Sequence, residues 1–282
     1  MKTIVLLGEK IEHSFSPLIH NTAFKELGLD SDYEYRLLSV SKNELAEMVQ
    51  EIADGHLEGA NVTIPYKTHI MKYLSDFDSE AKKIGAVNTL YRQGSRVVGC
   101  NTDIQGFVKV LAKTGIQIRG LRVGVVGAGG AARAVVHALA NQEVEELCLF
   151  NRTLSKATQL ADDTRQLLSA ELSVRNYPIR TPLDHLDFFV NCTPIGMQGH
   201  SLGKTPVNKE FLHERLTVVD LVYNPLKTRL LQDAEEVGCT TIHGAHLLVH
   251  QGAISFEKWT GISPPIAVMN RELLQALRGG LP

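Results

Sequence analysis

Cysteine is scarce in this chain and never paired along it. Cys100, Cys148, Cys192 and Cys239 stand far apart, with no C-x-x-C. That argues against a disulfide framework and against a structural zinc site, and for reduced thiols. A basic excess is also missing. Lys and Arg number 29 against 31 Asp and Glu, a formal net charge of −2. Nucleic acid and anionic membrane surfaces both select a basic excess, so neither is expected as the main partner, although a local basic pocket stays open. No apolar run reaches the length of a membrane span. The opening "MKTIVLLGEKIEHS" has a short apolar core with no small-residue cleavage site after it. It reads as a first strand rather than a signal peptide, and a cytoplasmic protein is the expectation. What is present is an ordinary globular composition, 44% hydrophobic and 21% charged over 282 residues. That is room for one large domain or two modest ones.

Strands and helices alternate along the chain. Strand patterns over 3–8, 33–38 and 59–64 are separated by helix patterns over 16–29 and 41–55. Ser41 and Glu44 give the second helix a capping box. This βαβαβ rhythm favours a parallel sheet. Two shorter helices and a hairpin over 88–100 follow, then a helix over 103–115. A second series begins with strand, tight turn and helix over 122–142, a strand over 146–150 and a helix over 155–168. Further strands fall at 186–194 and 216–223, and two helices at 244–259 and 264–277.

The turn Gly127-Ala128-Gly129-Gly130-Ala131-Ala132 sits between an apolar strand and a helix. Its first glycine permits the turn, its second lets backbone approach a pyrophosphate, and Ala132 allows close helix–strand packing. The bland alternative is a glycine-rich turn with no ligand. The next strand ends at Phe150 and continues Asn151-Arg152-Thr153, with Lys156 beyond. An NAD site usually has a carboxylate there to hold the ribose 2′-OH. Here there is none, and two cations stand in position for a 2′-phosphate, so the motif reads as preference for NADP or as a solvated loop.

In the first half, "NVTIPYK" ends a strand with Lys67 at the following turn, either a solvated charge or one aimed at something. Ser14 and Ser16 precede a helix, where two hydroxyls suit a carboxylate or simply cap the helix. Asn88 and Asp103 are ambiguous alone, and Asp103 has a capping alternative of its own. His243, His246 and His250 have the spacing of one helical face, with no carboxylate or thiol to complete a metal site, so no metal is expected. Tyr223 and Lys227 have a Y-x-x-x-K spacing, but Pro225 between them breaks the helix that chemistry needs.

Taken together, "HSFSP" (13–17), "NVTIPYK" (61–67), "GAVNT" (85–89), "NTD" (101–103), "GAGGAA" (127–132), "NRT" (151–153), "TPIGM" (193–197), "DLVYNP" (220–225) and "QGAISFEKWTG" (251–261) resemble the shikimate dehydrogenase family over nearly the whole chain. The resemblance implies an α/β fold. An N-terminal α/β substrate domain, residues 1–102 and 246–282, is joined to a Rossmann dinucleotide-binding domain, residues 103–245, with a cleft between them. It implies NADP-dependent, reversible reduction of 3-dehydroshikimate to shikimate on the route to aromatic amino acids, with no metal. Lys67 and Asp103 become the catalytic pair. Ser14 and Ser16 would hold the substrate carboxylate, and Asn61, Thr63, Asn88, Tyr223 and Gln251 would bind ring hydroxyls or support the residues that do. Gly127, Ala128, Gly129, Gly130 and Ala131 would carry the pyrophosphate, and Asn151, Arg152, Thr153 and Lys156 the 2′-phosphate side. Thr193, Gly196, Met197, Leu221 and Gly244 would lie along the ribose and nicotinamide. The partners are small molecules, shikimate and 3-dehydroshikimate, in a monomer or homodimer. Two departures stand out: Tyr66 where phenylalanine is commoner, and Lys156 where arginine often stands. A quinate/shikimate dehydrogenase of dual use and a ligand-sensing regulator of the same fold are the alternatives.

Overall fold

The computed structural model describes residues 1–165 and 170–279. These residues divide into two compact units, 1–107 with 248–279 and 108–247, and the divisions fall inside two helices. The first unit opens with β1 (Lys2–Gly8), α1 (Ser16–Glu26), β2 (Tyr33–Ser39), α2 (Leu45–Ala53) and β3 (Gly59–Val62). A 3₁₀ turn at Ile70–Tyr73, β4 (Asp76–Phe77), α3 (Ser79–Ile84) and the hairpin β5 (Thr89–Gln93) and β6 (Arg96–Cys100) follow. Then α4 (Thr102–Thr114) leads into the second unit.

The first sheet runs β2-β1-β3-β5-β6-β4. Its β1, β2 and β3 are parallel, as the rhythm demands, but β5 pairs antiparallel with both β3 and β6. The sheet is therefore mixed, because a short hairpin must fold back on itself while a βαβ unit crosses over. Val5, Leu7, Ala60, Val62 and Leu90 fill one core of this unit with Leu45 and Ile52 from α2. Boundaries move from the sequence expectation, and the helix expected over 16–29 ends at Glu26. The helix expected over 41–55 starts as a 3₁₀ turn, Lys42–Glu44, although the Glu44 carboxylate does accept from the Ser41 N–H at 2.7 Å. The strand expected over 59–64 stops at Val62, and Ile64 beyond it is 40% exposed.

The second unit carries β7 (Arg122–Val126), α5 (Gly130–Ala140), β8 (Glu146–Asn151), α6 (Leu154–Thr164) and β9 (Glu171–Asn176). It continues with β10 (Phe188–Asn191), the short pair β11 (Ile195–Gly196) and β12 (Ser201–Leu202), β13 (Thr217–Asp220), α7 (Arg229–Val237) and β14 (Thr240–His243). Positions 166–168 of the helix expected over 155–168 lie outside the described residues. The six long strands form one parallel sheet in the order β14-β13-β10-β7-β8-β9. That is the doubly wound order, with its reversal between β7 and β10, and ligands of such sheets bind at the carboxyl ends of the strands there. The chain closes with α8 (Ala245–Thr260) and α9 (Ile266–Gly279). His243 lies in β14 and not on the helix with His246 and His250, so the three do not share a helical face. Among the described residues there is no cluster of three or more His, Cys, Asp or Glu that could hold a metal ion. No helix among them is long and apolar enough to cross a membrane.

Candidate active site and dinucleotide turn

Lys67 follows β3 through a tight turn in which the Tyr66 N–H donates to the Thr63 carbonyl at 2.8 Å. The Tyr66 side chain is buried and its hydroxyl donates to the Val40 carbonyl at 2.9 Å, so the departure from phenylalanine has a satisfied polar tip. The Val87 N–H donates to the Lys67 carbonyl at 2.8 Å, which ties this turn to the segment carrying Asn88. The Lys67 side chain, 17% exposed, then reaches Asp103, 9% exposed, with Nζ donating to Oδ2 at 2.5 Å. Lys67 is therefore aimed at a carboxylate. Asp103 is not capping its helix with that group. Its second oxygen accepts from Asn88 Nδ2 at 2.9 Å, and it is Asn101 Oδ1 that takes the Asp103 N–H at 3.1 Å.

Asn88 is the hub. The Thr102 N–H, which can only donate, gives a 2.8 Å bond to Asn88 Oδ1. That fixes the amide, so Nδ2 must face Asp103, Thr102 Oγ1 at 2.9 Å and Gln251 Oε1 at 3.3 Å. Behind it, Asn61 Nδ2 donates to the Asn88 carbonyl, Thr89 Oγ1 and Ser255 Oγ, while Asn61 Oδ1 accepts from the Tyr35 hydroxyl at 2.8 Å. Asn61, Asn88, Thr89, Thr102 and Ser255 are all buried. A network so satisfied holds its members in one arrangement. Ser14 and Ser16 meet beside the start of α1, Oγ to Oγ at 3.2 Å. Phe15 stands at the N-cap without a side-chain bond, while Ser14 Oγ accepts the Ser16 N–H at 3.3 Å, one of the first amides of the helix.

In the second unit every expected cofactor residue lies at the carboxyl end of a strand. The turn after β7 holds Gly127 at φ +115°, a region that L side chains rarely adopt. A Cβ there would also press on Cys192 and Thr193, the residues after β10. The space beside Gly129 is open, and α5 begins there with no side-chain cap on its first N–H groups. Past β8, Arg152 and Lys156 are exposed and make no ion pair among the described residues. Asn151 Nδ2 donates to the Thr153 carbonyl at 2.7 Å, folding this loop on itself. Thr193 to Met197 follow β10, Leu221 and Tyr223 follow β13, and Gly244 joins β14 to α8. Gly244 packs against the strand beside it, where a Cβ would lie 2.2 Å from the Leu221 carbonyl oxygen.

Three family models match this chain. The shikimate dehydrogenase substrate binding domain matches residues 6–90, shikimate/quinate 5-dehydrogenase residues 110–222, and the shikimate 5′-dehydrogenase C-terminal domain residues 244–274. The shikimate dehydrogenase (NADP(+)) of Methanopyrus kandleri is 40% identical over 277 residues, 97% of this chain and 95% of that protein. The chain belongs to the shikimate dehydrogenase family. A crystal structure of a shikimate dehydrogenase in complex with NADP+ is similar at a TM-score of 0.89 and 38% identity, covering 98% of this chain and 96% of that one. Shikimate 5-dehydrogenase from Thermus thermophilus, in complex with NADP(H) and shikimate, is similar at 0.85 and 33% identity, covering 98% and 100%.

Within the shikimate dehydrogenase frame, the first unit brings together Lys67, Asp103, Asn61, Asn88 and Gln251, with Ser14 and Ser16 paired at the start of α1. Tyr223 belongs to the second unit, beyond β13. Thr63 holds its place through its N–H, which donates to the Leu7 carbonyl at 2.9 Å. Sequence reasoning missed Tyr35, Thr89, Thr102 and Ser255. Three of these were within reach, since Thr89 and Thr102 stand inside "GAVNT" and "NTD", and Ser255 is four residues beyond Gln251 on one helical face.

Proposed function

We propose that this protein catalyses the reversible reduction of 3-dehydroshikimate to shikimate, with NADPH as the reductant. The observation that carries the reading is the ion pair of Lys67 and Asp103, sheltered from water and held by Asn88. NADP, when bound, supplies or takes the hydride. The residues present fit it: an uncapped helix start behind a glycine turn for the pyrophosphate, and Arg152 and Lys156 with no competing carboxylate for the 2′-phosphate.

The chain's own part is the proton. Reduction of a ketone builds negative charge on its oxygen. Lys67 stands at that oxygen, stabilises the developing alkoxide and delivers a proton through the Lys67–Asp103 pair. Asp103 fixes the direction of the lysine and accepts from the reacting hydroxyl. Asn88 and Gln251 present the remaining polar edges to ring hydroxyls, assisted by Thr63 and Tyr223, while Asn61 supports Asn88 from behind. Ser14 and Ser16 hold the carboxylate. Residues 1–102 and 246–282 serve the substrate together with Asp103 and Tyr223, and the rest of 103–245 serves NADP. The family model over 110–222 also covers quinate enzymes, which keeps dual use as the second reading. A ligand-sensing regulator would have no need of the Lys67–Asp103 pair.

The test is an initial-rate matrix of shikimate and quinate, each with NADP and NAD. Shikimate with NADP should give the highest kcat/KM. Equal rates with quinate would move the assignment to the dual enzyme. No turnover in any of the four combinations would overturn it.

A further inference from the structure

Asp220 ends β13 and has no exposed surface. All of its hydrogen-bond partners are donors. Thr228 Oγ1 gives 2.6 Å to Oδ2, while Asn191 Nδ2 at 2.9 Å and the Val222 N–H at 3.0 Å reach Oδ1. Asn191 ends the neighbouring strand, β10. With its Nδ2 committed to Asp220, its Oδ1 must face the other way, where it accepts from the Thr193 N–H at 3.0 Å and the Thr193 hydroxyl at 2.6 Å. Asn191 Nδ2 also reaches the Ile195 carbonyl at 3.2 Å. Thr228 caps α7 by accepting the Leu231 N–H at 3.3 Å. One carboxylate thus ties together two strand ends, a helix start and two loops.

Burial pushes the Asp220 carboxyl up to about 6, against the pull of its three donors. A carboxylate in such a place is expensive. An amide of the same shape would keep both bonds at Oδ1 and turn a donor toward the Thr228 hydroxyl, which can accept it, at the loss of the negative charge.

We infer that Asp220 is a positioning residue for the nicotinamide half of the dinucleotide, acting through Asn191 on Thr193–Met197 and through Val222 on Leu221. This rests on the function proposed above. It separates the site into two halves with different supports. The adenosine half, at Arg152 and Lys156, lies beyond β8 and shares none of these bonds.

The test uses Asp220→Ala and Asp220→Asn in the full-length protein, with shikimate oxidation by NADP as the assay. Adenosine 2′,5′-bisphosphate serves as a competitive inhibitor that carries the adenosine half and no nicotinamide. In Asp220→Ala, kcat/KM should fall by about tenfold or more, as expected for loss of hydrogen bonds to a charged group. The inhibition constant should change less than twofold. Asp220→Asn should show the same split with a smaller loss. Equal weakening of both quantities would mean that Asp220 supports only the unit as a whole, and the inference would fail. An unchanged kcat/KM would also overturn it. Should Asp220→Ala not fold, as judged by circular dichroism, the split in Asp220→Asn decides alone. A wild-type protein without activity would remove the functional reading and this inference together. An active wild type with unaltered variants would remove the inference only.

Discussion

Lys67 has two possible fates as a residue, and they differ in what its loss would do. As a solvated charge, Lys67→Ala would alter little. As the proton source paired with Asp103, its loss should lower kcat by about 10²–10⁴. The Michaelis constant for shikimate should move far less, because the missing interaction is strongest in the transition state. Steady-state kinetics on a variant with a normal circular dichroism spectrum settle the point, and full activity would sink the mechanism. His20 offers a different prediction, about stability. It is fully buried, stacked on Tyr35 with centroids 4.4 Å apart and close to Phe256 and Trp259, and neither ring nitrogen has a hydrogen-bond partner among the described residues. Burial pushes its imidazole down to about 3 from 6.5. Between those values the unfolded chain binds a proton that the folded chain refuses. Its contribution is therefore intact above pH 6.5 and erodes as pH falls toward 3. The limit is about 1.4 kcal/mol per pH unit. Urea melts of wild type and His20→Phe at pH 7 and pH 5 should show wild type losing about 2 kcal/mol more across that interval. Parallel losses would contradict this.

At the scale of elements, local patterns were readable where local forces dominate. The helix of α1 shows Pro17 in its first turn, and α4 ends just before Gly115 at φ +70°. The capping pair of Ser41 and Glu44 forms, yet it opens a 3₁₀ turn before α2. Several elements escaped the pattern, among them β9, β14 and the helix α7. The last two depend on packing for their places: Ile242 of β14 is buried, and Leu230, Leu231 and Ala234 of α7 enter the core of the second unit. Tertiary burial gives such segments a structure that single-sequence periodicity does not announce. The join of β14 to α8 makes a sharp prediction. Gly244→Ala would drive a Cβ into the Leu221 carbonyl oxygen, and that atom belongs to backbone that cannot swing aside. Overpacking of this kind costs about 1–3 kcal/mol. Urea unfolding should show that loss, with a rise in the Michaelis constant for NADP as Leu221 shifts. A variant as stable as wild type with normal kinetics would contradict the packing argument.

For the whole molecule, a net charge of −2 means that an anionic dinucleotide is not drawn by the overall field. Attraction must be local, and we propose that the exposed Arg152 and Lys156 provide it. Arg152→Ala should weaken NADP by roughly 10- to 150-fold, the range for hydrogen bonds to charged groups, with little effect on NAD. Salt should act in the same direction. Raising ionic strength from about 0.05 to 0.5 M screens exposed charges, so the Michaelis constant for NADP should rise while that for NAD stays nearly level. Wild-type protein that uses NAD as readily as NADP would refute the assignment. Lys156 keeps the charge of the commoner arginine without its planar fork, so discrimination here should be weaker than an Arg–Arg pair would give.

The sequence by itself determined the α/β class, the glycine turn after β7, the absence of a carboxylate at the end of β8, and the family. Each of these is written in residues adjacent along the chain, where spacing alone fixes geometry. Only the tertiary structure decided that Lys67 meets Asp103 across 36 positions, that Asn88 is turned by the Thr102 N–H, and that Ser255 reaches Asn61 across 194. It also decided that Asp220 binds Asn191 rather than water. The reason is physical. A lone Asn, Asp or Thr in a sequence has many partners open to it, and its choice is set by which donors and acceptors the folded sheets bring within about 3 Å once water is gone.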